Sequence, residues 1–410
     1  MKTIPILALA VALSITASHA ASPGIIVRTD IPFGNAANVR VQKDGSVTEV
    51  RFTPDPHGGP ECLWFCFRVC RPHSGGGALG KLRLMLECPE TMLGGGNPAN
   101  FRPVFRLAGG DWERTGAPEL IELPDGRKQA AWTLDAAKSS LDFAFAFPYG
   151  RDDLNQLVQD TKGYWRVDTI GVSQGGRPLL RLSNDYGKPK GERPGLYLMS
   201  RQHSAEVSGG WVLDGVLRRF AELGDAAPLV WAVPLANIDG VEQGDYGKDN
   251  FPYDVNRAWG NPPMRHETLV FQQDMRRWAK RCHPAAGCDF HAPGASESEG
   301  IYAFVHKSEK YPDVAKQAEE WSNAVGETLG LEFAAKKFTR SGDYSSRWNT
   351  PRFGGFCQEE MKMPGIAFET PYGIIQKTVM TREKYREAGR RIADALVARV
   401  KNMSAGVGGK

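Results

Sequence analysis

The pattern of the sequence changes close to Tyr149, and this change constrains the fold more than any other feature. Before it, from residue 21 onward, short alternating or aromatic runs are separated by breaks such as PHGGP and LGGGNPAN, which is typical of an all-β unit. After it, short apolar runs alternate with longer helix-like runs, which predicts an α/β domain with helices covering a sheet. We therefore expect a β-domain over residues 21–150, an α/β domain over 151–403 and a flexible tail over 404–410.

The first twenty residues have the parts of a secretory signal peptide. Lys2 supplies a positive charge, residues 4–15 are mostly apolar, and small residues surround a cleavage point after Ala20,. The apolar run is short for a membrane span, and no other stretch is suited to cross a bilayer. We expect residues 1–20 to be removed and the mature protein to be exported, to the periplasm or the extracellular space, without a membrane span.

The charge balance argues against two classes of partner. The chain has 51 Lys and Arg residues against 47 Asp and Glu residues, a formal net charge of +4 at pH 7. Nucleic acid or an anionic membrane surface would be expected to select a more basic chain. The sequence therefore predicts no nucleic-acid partner.

The seven cysteines make disulfides possible in an exported protein. Cys282 and Cys288 flank HPAAG, which we expect to be a short loop, and they are the best candidate pair. If CLWFCFRVC is a strand, Cys62, Cys66 and Cys70 share one of its faces. No CxxC motif is present, so a cysteine-based zinc site is not expected.

Residues of the kind that bind metals follow two of the apolar runs. His203 and Glu206 come just after LYLMS, and His291 stands in CDFHAP. Sites in open α/β sheets lie at the carboxyl ends of strands, and a spacing of three puts two side chains on one side of a helical turn. Imidazole and carboxylate both bind zinc, and a catalytic zinc needs about three protein ligands. The alternatives are a polar helix start for the pair and a satisfied core histidine for His291.

Two further motifs have catalytic potential. In YDVNRAWG, Arg257 beside Asn256 is suited to hold a carboxylate by paired hydrogen bonds, and Asp254 could accept the second ring proton of a metal-bound histidine. In GIAFETPYG, Glu369 ends an apolar run, where a carboxylate facing an activated water would act as a general base. The alternative for the first motif is a structural Asp–Arg pair in a loop.

Five motifs in this order, HSAE, ANIDGVEQGDYG, DVNR, DFHAP and AFETPYG, resemble the M14 zinc carboxypeptidase family. LWFCFRV and FAFAFPYG, followed by DDLNQLVQD, resemble the β-domain and its junction in the cytosolic-carboxypeptidase, deglutamylase-like subfamily. The resemblance covers almost all of the mature chain. It implies an antiparallel β-sandwich-like domain followed by a carboxypeptidase-type α/β domain, in which helices flank a mixed central sheet.

The resemblance also implies roles for single residues. It implies one zinc ion per chain, a glutamate that takes a proton from water and passes it to the leaving amine, and an Asn–Arg pair that anchors the terminal carboxylate of the substrate. The zinc ligands implied in this way are His203, Glu206 and His291, and the implied catalytic glutamate is Glu369. The substrate-binding residues are Asn256, Arg257 and Tyr344, the last being the tyrosine that closes over the substrate. The aspartate behind a zinc ligand is Asp254.

One position departs from the family pattern. Members of the cytosolic type carry an arginine in the stretch that matches GDYGKD, where it helps to stabilise the oxyanion, whereas this chain has Gly247 with Lys248 beside it. A lysine can replace the charge but lacks the planar fork of arginine. This departure keeps a catalytically impaired, zinc-binding pseudopeptidase open as an alternative function.

The resemblance predicts an exported carboxypeptidase that acts on the C-termini of peptides or proteins. The segment before the last strand is basic because it carries Arg340, Arg347, Arg352 and Lys362. Such a segment suits an acidic terminal side chain such as glutamate, and a solvated basic loop is the alternative. A murein-peptide amidase with the same chemistry is a second alternative to the carboxypeptidase.

Overall fold

A computed structural model describes residues 21–22, 24–72, 77–248, 253–344 and 350–407. The predicted signal peptide lies outside these residues. Among the described helices, none is both long and apolar enough to cross a membrane.

The N-terminal part consists of strands arranged in two sheets. Their orders are β1-β2-β5-β11-β7-β8 and β3-β4-β6-β10-β9, and every pairing is antiparallel except β4 with β6. The antiparallel sheets predicted for this part are therefore present. The strands are β1 (Ala21–Ser22), β2 (Ile25–Arg28), β3 (Ala37–Asp44), β4 (Val47–Thr53), β5 (Cys66–Cys70), β6 (Gly80–Glu87), β7 (Val104–Leu107), β8 (Glu113–Arg114), β9 (Glu119–Glu122), β10 (Lys128–Ala136) and β11 (Ser140–Ala144).

Buried aromatic rings fill the space between the two sheets. Phe52 of β4 contacts Phe67 of β5 and Phe143 of β11, with ring centroids 4.7 Å and 6.1 Å away. Phe52 has more exposed neighbours on both sides along β4, as expected where one face of a sheet is buried, whereas Phe143 lies in a run of buried residues in β11. Edge-to-face aromatic pairs of this kind add stability beyond the area that they bury.

The second part of the chain is an α/β domain built on one mixed sheet. The strand order is β12-β13-β15-β14-β16-β19-β17-β18, with parallel pairing from β15 through β14 and β16 to β19. Its elements are α1 (Arg151–Asp160), β12 (Arg166–Val172), β13 (Pro178–Ser183), β14 (Pro194–Ser200), α2 (Val207–Leu223), β15 (Leu229–Val233), α3 (Ile238–Gln243), α4 (His266–Ala279), β16 (His283–His291), β17 (Ile301–Val305), α5 (Pro312–Phe333), β18 (Ala334–Ser341), α6 (Phe353–Glu359), β19 (Gly365–Glu369), β20 (Ile374–Ile375), β21 (Thr378–Val379) and α7 (Arg382–Val407).

The fold confirms the expected α/β class with a mixed central sheet. The apolar runs LYLMS, IYAFV and GIAFE are strands, and the residues of β14 are buried almost without interruption. Continuous burial is expected for parallel strands covered on both faces. α7 continues to Val407, so residues 404–407 are helical where we expected a flexible tail, and residues 408–410 lie outside the described part.

The disulfide expected between Cys282 and Cys288 is wrong. All seven cysteines are free thiols, and HPAAG is not a loop but the start of β16. A strand rises ~3.3 Å per residue, so these two cysteines are roughly 20 Å apart, whereas a disulfide needs Cα atoms within about 7 Å. The strand expected for CLWFCFRVC begins only at Cys66, so Cys62 does not share its face.

Close backbone contacts join the β-domain to the loop that follows β16. The amide of Ala295 donates to Leu93 O at 2.8 Å, and the amide of Ser296 donates to Gly94 O at 3.0 Å. A Cβ atom at Gly94 would lie 2.6 Å from Gly294 Cα, so the approach requires glycine. The β-domain therefore packs directly against the segment that follows the last residue of β16, His291.

Candidate metal centre

His203, Glu206 and His291 come together at the carboxyl ends of two neighbouring strands. His203 follows β14, Glu206 is the N-cap residue of α2, and His291 ends β16. Because β14 and β16 are parallel neighbours, their carboxyl ends meet at one edge of the sheet. One ligand atom from each of the three residues lies within 4.8 Å of the others, and all three side chains are buried.

Each of the two imidazole rings turns one nitrogen toward Glu206 and the other toward a second carboxylate. His203 Nδ1 lies 2.8 Å from Glu206 Oε1, and His291 Nδ1 lies 2.6 Å from Glu206 Oε2. The opposite nitrogens face carboxylates, since His203 Nε2 is 3.1 Å from Asp254 Oδ1 and His291 Nε2 is 2.5 Å from Asp289 Oδ2. A carboxylate that holds the Nε2 proton leaves the Nδ1 lone pair for a metal. The donor set fits zinc, which accepts two histidines and one carboxylate with a further position open.

The charges of the three residues depend on each other. Burial raises the pKa of Glu206, but His203 and His291 outweigh it and bring the pKa well below its ordinary value. Burial lowers the pKa of His203, and the neighbouring Glu206 and Asp254 carboxylates raise it above the ordinary value. Glu206 is therefore an anion at neutral pH, as metal binding requires.

Glu369 faces this cluster from the next strand. It ends β19 and is the cross-strand neighbour of His291. Burial raises its pKa to about 7, and its Oε2 is buried without a hydrogen-bond partner among the described residues. A buried carboxylate oxygen without a hydrogen bond is costly to keep, and a pKa near neutrality suits a group that accepts and returns a proton.

Asn256 and Arg257 lie in a short 3₁₀ turn, Val255–Arg257, that Asp254 caps by accepting the amide of Asn256 at 2.8 Å. Asn256 Nδ2 lies 3.1 Å from His291 Nε2. Arg257 uses Nη1 to donate to Asn256 O at 3.0 Å, while its Nε has no hydrogen-bond partner within the described part of the chain. Both residues line the site cavity, so the turn places a guanidinium with an unused donor beside the metal-ligand cluster.

Tyr344 lies at the entrance of the site. Its side chain is exposed, its ring centroid is 5.1 Å from that of Phe304, and the guanidinium of Arg352 lies 4.3 Å from its ring. Tyr344, Arg352 and His306 line both the cavity of about 50 Å³ at the metal ligands and a cleft of about 800 Å³ beside it. These three side chains therefore separate the reacting centre from the larger cleft.

Within the described part of the expected basic loop, one cation lines the cavity. Arg340 is paired with Glu299 at 2.9 Å, and Lys362 donates to Glu359 O away from the cavity. Arg352 lines the cavity, and Arg347 lies outside the described residues. Of the three cations of this segment that the structure describes, Arg340 and Lys362 therefore have partners outside the cavity and Arg352 lines it.

Lys248 brings a cation into the site cavity, although position 247 carries no arginine. Its Nζ is 3.8 Å from Glu206 Oε1, and its side chain lines the same cavity as Glu369. Gly247 has a φ of +92°, and a Cβ atom there would lie 2.4 Å from Ser204 N. A side chain at position 247 is thus excluded by both conformation and space, and the cation comes from the next residue.

Sequence reasoning did not identify three residues in and around the site. Asp289 stands two positions before His291 in β16 and hence on the same face, a signal that could have found it. Gln202 donates to Asp289 and accepts from Trp259, next to His203 in sequence. Glu61 reaches Lys248 from the β-domain, and no local pattern marks it.

The chain is similar to proteins of known kind. It is 26% identical over 187 residues to cytosolic carboxypeptidase 1 of Gallus gallus, a match that covers 40% of this chain and 15% of that protein. Cytosolic carboxypeptidase 6 of Mus musculus is 26% identical over 178 residues, or 38% of this chain and 33% of that protein. The matched region thus spans a third or less of these relatives. No family model matches the chain.

Solved structures share the whole fold. A metallo-carboxypeptidase from Burkholderia cenocepacia superposes with a TM-score of 0.72 at 18% identity, covering 93% of this chain and all of that one. A metallo-carboxypeptidase from Pseudomonas aeruginosa, in complex with (2-guanidinoethylmercapto)succinic acid, gives a TM-score of 0.67 at 18% identity and covers 92% of this chain and 99% of that one. Both parts of the chain are therefore found together in these proteins.

Proposed function

We propose that this chain, a homologue of the cytosolic carboxypeptidases of the M14 family, is a zinc carboxypeptidase that removes the C-terminal residue of peptides. The observation that carries the proposal is the convergence of two Nδ1 atoms on Glu206, while Oε2 of Glu369 on the adjacent strand is buried without a hydrogen-bond partner among the described residues. A structural role would not explain why that oxygen has no partner within the described part of the chain.

Each residue of the site has a separate task in this proposal. When bound at His203, Glu206 and His291, zinc would supply Lewis-acid polarisation of the scissile carbonyl and a lowered pKa for water. Glu369 accepts the proton of the attacking water and returns it to the leaving amine. Its raised pKa supports both transfers, because neither protonation state is strongly favoured near pH 7.

Substrate recognition relies on the 3₁₀ turn. Arg257 Nε is a buried donor without a partner among the described residues, and a terminal carboxylate would satisfy it with a charge-assisted bond. Asn256, which lies against His291, would donate to the same carboxylate. Anchoring the last carboxylate at a fixed distance from the metal restricts cleavage to the last peptide bond.

The test is trimming of a synthetic peptide library, read by mass, with and without a chelator. We expect loss of single C-terminal residues, inhibition by the chelator and recovery with added zinc, because the ligand set must be filled for water to be activated. Murein peptides cut at an internal amide would indicate the amidase instead. Zinc bound at one per chain without hydrolysis of any peptide would indicate a pseudopeptidase.

We further propose a preference for glutamate at the substrate terminus, mediated by Arg352. Among the described residues of the basic segment, Arg352 is the one that lines the cavity, and its guanidinium can pair with a carboxylate. Peptides ending in Glu should be cleaved with a higher kcat/KM than those ending in Lys or Phe. Arg352→Gln should lower the value for the Glu peptide by about tenfold, the effect of roughly 1.4 kcal/mol for one charged hydrogen bond.

Arg340→Gln is the matched control, since Arg340 pairs with Glu299 on the surface. It should leave the ratio of Glu to Phe cleavage unchanged. Equal kcat/KM for the three peptides in the wild type would refute the preference.

Export also belongs to this proposal, because it rests on the signal-like residues 1–20. An exported carboxypeptidase would act on peptides of the periplasm or the surroundings. Processing of the precursor at Ala20, read by mass on secreted protein, tests it.

A further inference from the structure

Lys248 joins the two domains at the metal centre. It follows α3 in the α/β domain, and Glu61 precedes β5 in the β-domain. Lys248 Nζ lies 3.5 Å from Glu61 Oε2 and 3.8 Å from Glu206 Oε1. Lys248 and Glu61 are each only 16% exposed, so water screens this three-membered cluster little.

The position of the ammonium between two carboxylates has a consequence for the metal. Glu206 must offer its lone pairs to a cation at the His203 and His291 nitrogens, and an ammonium that pairs fully with Glu206 competes with that cation. Glu61, which is not among the residues that line the cavity, offers Lys248 a second carboxylate. Without Glu61, the flexible four-carbon chain of lysine would allow the ammonium to move closer to Glu206 and pair with it.

Glu61 also restrains the side chain of Lys248, which is less rigid than that of an arginine. Position 247 cannot carry a side chain, because a Cβ atom there would lie 2.4 Å from Ser204 N. The cation comes from Lys248 instead, and a lysine lacks the planar fork of arginine. Lys248 is held from two directions, by Glu61 and by the face of Tyr246, whose ring centroid is 5.1 Å from Nζ. Glu61 is the one of these two that belongs to the other domain.

We propose that Glu61 of the β-domain is a positioning residue for the catalytic site, which holds the ammonium of Lys248 extended across the cavity and keeps it from neutralising Glu206. The inference rests on the proposed zinc carboxypeptidase function. It assigns the β-domain a direct part in catalysis, since the site is incomplete without a carboxylate from that domain. Glu61 touches neither substrate nor metal and acts through Lys248.

A double-mutant cycle tests the inference on the full chain, with Glu61→Gln, Lys248→Met and the two combined. Zinc affinity is measured by competition with a chromogenic chelator, and kcat and KM are measured on one peptide. Glu61→Gln should lower zinc affinity and kcat by about tenfold each, in the range found when an outer partner of a metal ligand is lost, with KM changed less than about twofold. Lys248→Met should lower kcat but not zinc affinity.

The combined variant decides between coupling and independence. If Glu61 acts through Lys248, the combined variant has the zinc affinity and the kcat of Lys248→Met alone, because no ammonium is left to compete or to be positioned. If the losses of the two single variants multiply, Glu61 acts independently and the inference is wrong. Glu61→Asp, which keeps the charge, should recover most of the zinc affinity and shows that the Gln variant is not merely unfolded.

Two further results separate this inference from others. His57→Asn breaks a neighbouring contact between the domains, His57 Nδ1 with Asp245 Oδ1 at 2.6 Å, and should leave zinc affinity and kcat unchanged. If it lowers them as Glu61→Gln does, general docking of the domains is responsible and the inference fails. If the wild type cleaves no peptide, the proposed function fails, while the cycle in zinc affinity still tests the pairing of Glu61 with Lys248.

Discussion

Replacing Glu369 with glutamine should lower kcat/KM for peptide cleavage by about 10²- to 10⁴-fold, the usual contribution of a general acid–base group. The amide keeps the size of the side chain but cannot accept a proton from water. Zinc content should stay at one ion per chain, because Glu369 is not among the three residues whose ligand atoms converge. Metal analysis and steady-state kinetics on the same preparation check both parts.

Glu297→Gln is the matched control for this change. Glu297 accepts a hydrogen bond from Tyr302 OH at 3.1 Å, and Tyr302 pairs with Glu369 across the sheet, so the control alters a nearby carboxylate outside the cavity. Its kcat/KM should equal that of the wild type within about twofold. A Glu369→Gln variant that retained full activity would mean that another group activates the water.

Replacing His291 with alanine should weaken zinc binding by at least about 10²-fold, more than the loss of an outer partner costs, and should abolish cleavage with it. The imidazole supplies one of the three donors that converge. Without the ring, Glu206 and Asp289 also lose a partner in a buried position, so the variant should be less stable by roughly 3–5 kcal/mol. Competition with a chelator and denaturant unfolding measure the two effects.

His283→Ala serves as the comparison for the histidine change. His283 begins the same strand, β16, at its opposite end, and is exposed. It should alter neither zinc affinity nor stability by more than a few tenths of a kcal/mol, as is usual for surface positions. Equal zinc binding in the His291 and His283 variants would exclude the proposed metal centre.

The candidate metal ligands could be located in the sequence because local patterns mark them. His203, Glu206 and His291 follow apolar runs, and parallel strands bring such positions to one edge of a sheet. Asp289 could have been predicted in the same way, since a period of two puts it on the same face of β16 as His291. The roles of all these residues stay predictions until the variants above are measured.

Other parts of the molecule could not be read from local sequence. Glu61 reaches the site only because the β-domain docks against the loop after β16, and this contact joins residues far apart in the chain. HPAAG looked like a loop because Pro and Gly usually interrupt strands, yet Pro284 and Gly287 lie in β16, where close packing excludes larger side chains. A Cβ atom at Gly287 would lie 2.6 Å from Cys357 Sγ.

The glycine at position 247 also constrains the mutational paths open to this protein. An arginine there would require the backbone to leave a φ of +92° and the Ser204 segment to retreat from a contact of 2.4 Å. Ser204 is bonded to His203, so that retreat would shift a metal ligand. Gly247→Arg should therefore reduce fitness as a single substitution. Lys248→Arg does not require this change of the backbone. The cation of the site can therefore evolve more readily at position 248, where a substitution does not depend on a compensating change at Ser204.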